Sequence, residues 1–193
     1  KYQSDAVLQA QKILEIYDGV FISDVVGLGK TYICAMLAQR LKKGKKLIIC
    51  PPVLVRQWNE ALDKFGVIDK KVVSLGKLDK IIEDGVEQFQ YIFVDESHRF
   101  RNEKTGSFSK LHRICFGKKV ILISATPINN YSTDIESQIS LFQSKRNSTI
   151  VGVRDLKKFF TNLTNQAKNL KKGTPEYLNQ LSKNSKEIRD KIF

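Results

Sequence analysis

The chain has 193 residues, 41% of them apolar, and carries 33 Lys and Arg against 20 Asp and Glu, a net charge of +13. That is enough apolar material for one sizeable core plus an appendage, and no window approaches the roughly 18 apolar residues of a membrane span. Cys34, Cys50 and Cys115 are odd in number, widely spaced and set among apolar neighbours, so they read as reduced core residues rather than a disulfide frame or metal site.

Lys1 to Tyr17 reads as a helix, with Ala6, Val7, Ala10, Ile13, Leu14 and Tyr17 at three- and four-residue steps. Gly19 to Ser23 is a short apolar, strand-like run. It breaks at Asp24-Val25-Val26-Gly27-Leu28-Gly29-Lys30-Thr31, after which Ile33, Cys34, Met36, Leu37 and Leu41 return to helical spacing. Strand, glycine loop and helix form the context of a phosphate-binding loop. Gly27 and Gly29 let backbone N–H groups curl around an anion, and the helix beginning near Lys30 aims its positive end at it. Lys30 is expected to reach the β- and γ-phosphates of a nucleotide, and the Thr31 hydroxyl to hold Mg²⁺. The generic pattern places Gly five positions before Gly29, where this chain has Asp24.

Leu47 to Cys50 is a continuous apolar run that suits a parallel strand covered on both faces. Pro51-Pro52 ends it, and Val55, Trp58, Leu62 and Phe65 continue as an amphipathic helix. Val72-Val73-Ser74 is a third strand, followed by a short helix from Leu78 to Glu83. Tyr91-Ile92-Phe93-Val94 then runs into Asp95-Glu96-Ser97-His98. A hydrophobic strand ending in an acidic pair supplies the second half of a nucleotide-hydrolysing site: one carboxylate positions Mg²⁺ and the other orients the attacking water. Lys119 to Ser124 is a further buried strand, ending in Ser124-Ala125-Thr126-Pro127-Ile128-Asn129-Asn130. Its small hydroxyl residues either link the site to moving parts or cap the turn into a helix lined by Ile135, Ile139 and Phe142.

Beyond Ser144 the character changes. Arg154 to Phe160 and Thr161 to Lys172 are short, basic and weakly amphipathic. Thr174-Pro175 opens a helix with Leu178, Leu181, Ile188 and Ile192 along one face. Residues 143–193 hold twelve Lys and Arg against four Asp and Glu. The surplus suits either a polyanionic partner or solvated helix faces. With Lys1 first and no hydrophobic leader, the sequence reads as a piece of something longer.

These blocks, in this order, resemble the first motor lobe of superfamily-two helicases, and among them the Swi/Snf-type DNA translocases. Asp24-x-x-Gly-x-Gly-Lys-Thr is similar to that family's version of the loop, including its Asp. Ile48 to Trp58 resembles motif Ia, Asp95-Glu96-Ser97-His98 the DEAH-like motif II, and Leu122 to Asn130 motif III with its Thr-Pro-x-x-Asn extension. Tyr2-Gln3 is similar to the adenine-reading Q motif. The resemblance covers residues 1–142 and implies a RecA-like α/β lobe with a mainly parallel sheet flanked by helices. Residues 143–193 would be a basic helical extension leading toward a second lobe, which supplies arginine fingers and closes over the nucleotide.

The expected function is therefore an ATP-driven translocase or helicase motor, its cofactors ATP and Mg²⁺. Glu96, Asp95 and Lys30 would be catalytic, with Gln3, Gly27, Leu28, Gly29, Lys30 and Thr31 binding the nucleotide and Thr31 and Asp95 holding the metal. His98, Ser124 and Thr126 would couple the site to nucleic acid, expected to be duplex DNA. Contacts to it would run through Pro51, Arg56 and Ser74; Arg56 and Arg99 read equally well as ordinary surface arginines. Val25-Val26, where remodellers usually have Glu-Met, and the short spacings between motifs look prokaryotic and imply a cytoplasmic protein. Two other classes compete: a P-loop kinase or GTPase, although neither an acceptor pocket nor Asn-Lys-x-Asp is evident, and a non-catalytic nucleic-acid-binding module that keeps an ATP site.

Overall fold

A computed structural model of the chain describes residues 2–23, 29–124 and 132–192. The predicted site residues Gly27, Leu28 and Thr126 lie outside them.

Strands and helices alternate along the first two thirds of the chain: α1 (Tyr2–Tyr17), β1 (Gly19–Ser23), α2 (Lys30–Arg40), β2 (Lys45–Cys50), α3 (Val55–Lys64), β3 (Lys70–Ser74), α4 (Leu78–Glu83), β4 (Phe89–Asp95), α5 (Gly106–Cys115) and β5 (Lys119–Ser124). Three helices follow, α6 (Ser132–Ile139), α7 (Leu156–Lys168) and α8 (Pro175–Ile192). The strands form one sheet in the order β1-β5-β4-β2-β3, and each pairing is parallel. The expected parallel α/β sheet is thus observed. Crossover helices pack on both faces of such a sheet, so its strands are apolar throughout rather than alternating with polar residues.

The two-residue period of the strands sorts their side chains between two cores. Ile48, Cys50, Phe93, Ile121 and Ile123 face α1, α2 and α3, where they meet Leu14, Leu37 and Leu62. Leu47, Ile49, Ile92, Val94, Val120 and Leu122 face the other way, toward Leu78 and Ile81 of α4 and Phe108, Leu111 and Ile114 of α5. Each fully buried Leu, Ile or Phe contributes about 1.5–3 kcal/mol to holding these layers together.

Helix α5 is not among the elements expected from the sequence. Its signal is present nonetheless: the Thr105 hydroxyl accepts from Phe108 N at 3.2 Å, and Phe108, Leu111, Ile114 and Cys115 are buried. The two short segments expected after residue 154 are one helix, α7, capped where Asp155 accepts from Lys158 N at 2.8 Å. Phe160 and Leu163 of α7 share a third core with Ile135 and Ile139 of α6 and Ile188 of α8. Of the stripe predicted on α8, Ile188 is buried and Leu181 and Ile192 half-buried, while Leu178 is exposed; Asn184 joins the buried face, its Nδ2 donating to the Leu163 carbonyl at 2.9 Å. Phe142 lies past the end of α6, against β1. A Cβ added at Gly19 would come within 2.1 Å of the Phe142 ring, so the close approach requires glycine there.

Candidate functional site

Parallel strands put all their C-terminal ends on one edge, where open α/β sheets bind ligands. The register aligns these ends closely: Ser23 pairs Ser124, Asp95 pairs Ile123, and Cys50 pairs Ser74. The residues predicted to do chemistry therefore share one edge although they come from four separate stretches of sequence.

Gly29 stands at the head of α2 with φ 79°, in the left-handed region that favours glycine. Its carbonyl accepts from Ile33 N at 3.0 Å. A Cβ at Gly29 would lie 3.3 Å from Gln3 Nε2, so the side chain of Gln3 on α1 reaches the same place. Lys30 and Thr31, both half-buried, form the first turn of α2, where free backbone N–H groups favour an anion.

Asp95 ends β4 and is 6% exposed. Its Oδ2 accepts from Trp58 Nε1 at 2.8 Å, and its Oδ1 from the Glu96 amide at 2.9 Å. Burial raises its pKa; these two hydrogen bonds, and more weakly Lys30, pull it back toward the ionised form. The buried Cys34 thiol, raised chiefly by desolvation, feels both Asp95 and Lys30. Asp95 on β4 and Lys30 on α2 thus lie within electrostatic reach of each other and of Cys34.

Glu96 adopts φ 54°, an unusual conformation for a residue with a side chain, and so turns the chain sharply at the strand end. His98 Nδ1 lies 3.1 Å from Glu96 Oε2 and 3.3 Å from Ser124 Oγ. A carboxylate only accepts, so the His98 contact to Glu96 places a proton on Nδ1. His98 thereby joins the ends of β4 and β5. Between them Ser97 Oγ, fully buried, donates to Gln138 Oε1 at 2.8 Å, which fastens the acidic turn to α6.

The donor set fits a nucleotide with Mg²⁺. Such a metal takes one or two protein oxygens and the substrate's phosphates rather than a complete protein cage. Asp95 and Thr31 can supply those oxygens, with Lys30 left for phosphate. Among the described residues, no group of three or more His, Cys, Asp or Glu is arranged to hold a metal ion by itself.

The predicted nucleic-acid residues sit at the same edge but not in this cluster. Pro51 is buried, Ser74 is half-buried at the end of β3, and Arg56 projects into solvent, its side chain 90% exposed beside Glu60 at 3.3 Å. Arg99 is also exposed. Two residues near the acidic turn were not singled out from sequence. Trp58 reads there as part of an apolar stripe and as the last residue of the motif Ia resemblance, and Gln138 carries no signal of its own. A buried indole must place its N–H on an acceptor, and that requirement is the one sequence-level hint for Trp58.

No protein-family model matches the chain. It is 30% identical over 145 residues to the SWI/SNF-related matrix-associated actin-dependent regulator of chromatin subfamily A-like protein 1 of Xenopus tropicalis, covering 63% of this chain and 15% of that protein. It is 28% identical over 165 residues to a protein of Acanthamoeba polyphaga mimivirus provisionally named an ATP-dependent RNA helicase, covering 68% of this chain and 31% of that one. The chain thus spans less than a third of the length of either relative. Among solved structures, the Sulfolobus solfataricus SWI2/SNF2 ATPase core in complex with dsDNA has the same fold over 96% of this chain and 42% of that one, with a TM-score of 0.69 and 20% identity. The UvsW helicase of bacteriophage T4 matches 73% of this chain and 57% of its own, with a TM-score of 0.58 and 18% identity. The sheet is accordingly of the RecA-like type found in those ATPase cores. In sequence the chain is similar to these SWI/SNF-related and helicase-named proteins, and in fold to the SWI2/SNF2 ATPase core and the UvsW helicase.

Proposed function

We propose that the chain is the first motor lobe of an ATP-driven nucleic-acid translocase. It binds MgATP at the C-terminal edge of its sheet and nucleic acid, duplex DNA in preference, along the tips of β2 and β3. The observation that carries this reading is the join between the two halves of the site. Asp95 lies within electrostatic reach of Lys30 at the head of α2, and His98 bridges Glu96 to Ser124 at the next strand end.

In this reading Lys30 binds the phosphates, Asp95 and Thr31 hold the metal, and Gln3 meets the nucleotide from α1. Mg²⁺ held there would supply charge neutralisation at the phosphates. Glu96 accepts a proton from, or orients, the attacking water, and its contact with His98 makes its position depend on Ser124. A change at the β5 tip, and in the Thr126 segment beyond it, would therefore be felt at Glu96. Residues 143–193 are the helical extension leading toward a second lobe. The likeness of the archaeal ATPase core to 96% of the chain, which includes most of that extension, supports this division.

Duplex DNA is favoured as the track because that archaeal core was solved with dsDNA. The name of the mimivirus relative makes RNA the competing track. The prokaryotic affinity and cytoplasmic setting rest on Val25-Val26 and the short motif spacings, supported by archaeal and phage fold neighbours. Efficient hydrolysis needs arginine fingers from the second lobe, worth about a thousandfold or more. The 193-residue chain should accordingly bind MgATP yet turn it over slowly. Calorimetric titration with MgATP tests the nucleotide half: saturable binding lost in Lys30→Ala is expected, and equal binding by both proteins would overturn the reading.

A further inference from the structure

Trp58 sits on α3, 37 residues before the carboxylate it meets. It is 1% exposed and packed in the core shared with Ala61 and Leu62. Packing alone would be served by any aromatic ring of similar size. The indole N–H, however, is spent on Asp95 Oδ2 at 2.8 Å, while the Glu96 amide holds Oδ1 at 2.9 Å. With one donor on each oxygen, the carboxylate is restrained from rotating about its own axis. Its remaining lone pairs are then held in a fixed orientation. Donors that fix a ligating carboxylate in this way influence metal affinity strongly.

We propose that Trp58 is a positioning residue for the metal-binding carboxylate: its N–H sets how tightly the nucleotide site takes up Mg²⁺. The proposal rests on the nucleotide reading given above. It also ties α3, which begins just past the Pro51 tip, to the metal through a single hydrogen bond.

Trp58 is the only tryptophan in the chain, so its emission reports on this contact without any added label. The experiment measures binding of the slowly hydrolysed analogue adenylyl-imidodiphosphate as Mg²⁺ is raised, in wild type and in Trp58→Phe, which keeps a ring and deletes the donor. The Mg²⁺ concentration for half-maximal binding should rise roughly tenfold or more in the variant. Binding of the analogue in EDTA should not change, which a general loss of fold would not allow. In wild type, tryptophan emission should change on adding the analogue with Mg²⁺ and stay constant on adding it with EDTA. An unchanged Mg²⁺ requirement in a folded Trp58→Phe protein overturns the proposal. If that variant does not fold, unaltered wild-type emission with the Mg²⁺–analogue complex bound overturns it instead. Failure of wild type to bind the analogue at all overturns the nucleotide reading, and this one with it.

Discussion

A carboxylate that must meet a metal is costly to keep buried without one, and Asp95 shows that cost in its raised pKa. The sign follows from linkage. A carboxyl whose folded pKa lies above its unfolded value binds more protons in the native state, so stability falls as pH rises through that interval. Asp95→Asn removes the charge but offers one oxygen and one NH2 to two N–H donors, so either Trp58 Nε1 or the Glu96 amide loses its acceptor. That loss offsets the relieved burial cost, and the expected signature is a trend: the thermal midpoint of the nucleotide-free variant relative to wild type should rise from acid to neutral pH. A scan at two pH values checks this; a difference that does not rise with pH would show that the Asp95 charge carries no burial cost. Glu96→Gln should leave MgATP affinity nearly unchanged while hydrolysis in the presence of a second lobe drops about 10²–10⁴-fold. A parallel loss of affinity would mean that Glu96 holds the metal. Lys30, Asp95 and Glu96 were legible in sequence because each belongs to a short motif at a strand end. Trp58 was not, because its partner is brought to it by the pairing of β2 with β4, and no local spacing records that.

Elements were read most easily where one apolar pattern decided them. The strands β2, β4 and β5 are buried on both faces, so their runs stand out from any neighbour. Helix α5 escaped notice because its apolar positions follow a polar stretch, Arg99 to Ser107, that hides the start; Thr105 caps it there. Thr105→Ala should cost about 1 kcal/mol of stability, read as a shift in denaturant midpoint without a change in slope. On α8 the buried Asn184 was not legible in the apolar stripe, because its partners, the Leu163 carbonyl on α7 and the Gln180 amide, are set by packing rather than by spacing. The third core draws on α6, α7 and α8 together. Phe160→Ala should thus cost about 3–5 kcal/mol and expose the segment from residue 143 onward to protease well before the sheet. Uniform resistance in that variant would mean that α7 is held by something other than its apolar face.

At the scale of the molecule, a net charge of +13, with twelve Lys and Arg against four acidic residues beyond position 142, favours a polyanion over a small anion. Several of these charges already have partners in the fold, such as Lys145 with Glu103 and Lys191 with Glu187. Nucleic-acid binding should then draw on the unpaired share and weaken steeply between about 50 and 200 mM salt; affinity that stays flat across that range would place the contacts elsewhere than on phosphates. The fold and the candidate nucleotide site are read from motifs with local signatures, whereas the proposed track would be chosen by a surface whose residues, Pro51, Arg56 and Ser74, are individually ordinary. The central claim is that nucleotide hydrolysis at Lys30, Asp95 and Glu96 is driven by nucleic acid. Its most direct test is steady-state ATP hydrolysis by the parent protein that carries both lobes, with duplex DNA, single-stranded DNA or RNA, beside a Lys30→Ala control. The account predicts strong stimulation by duplex DNA that disappears in the control, and hydrolysis indifferent to all three nucleic acids would contradict it.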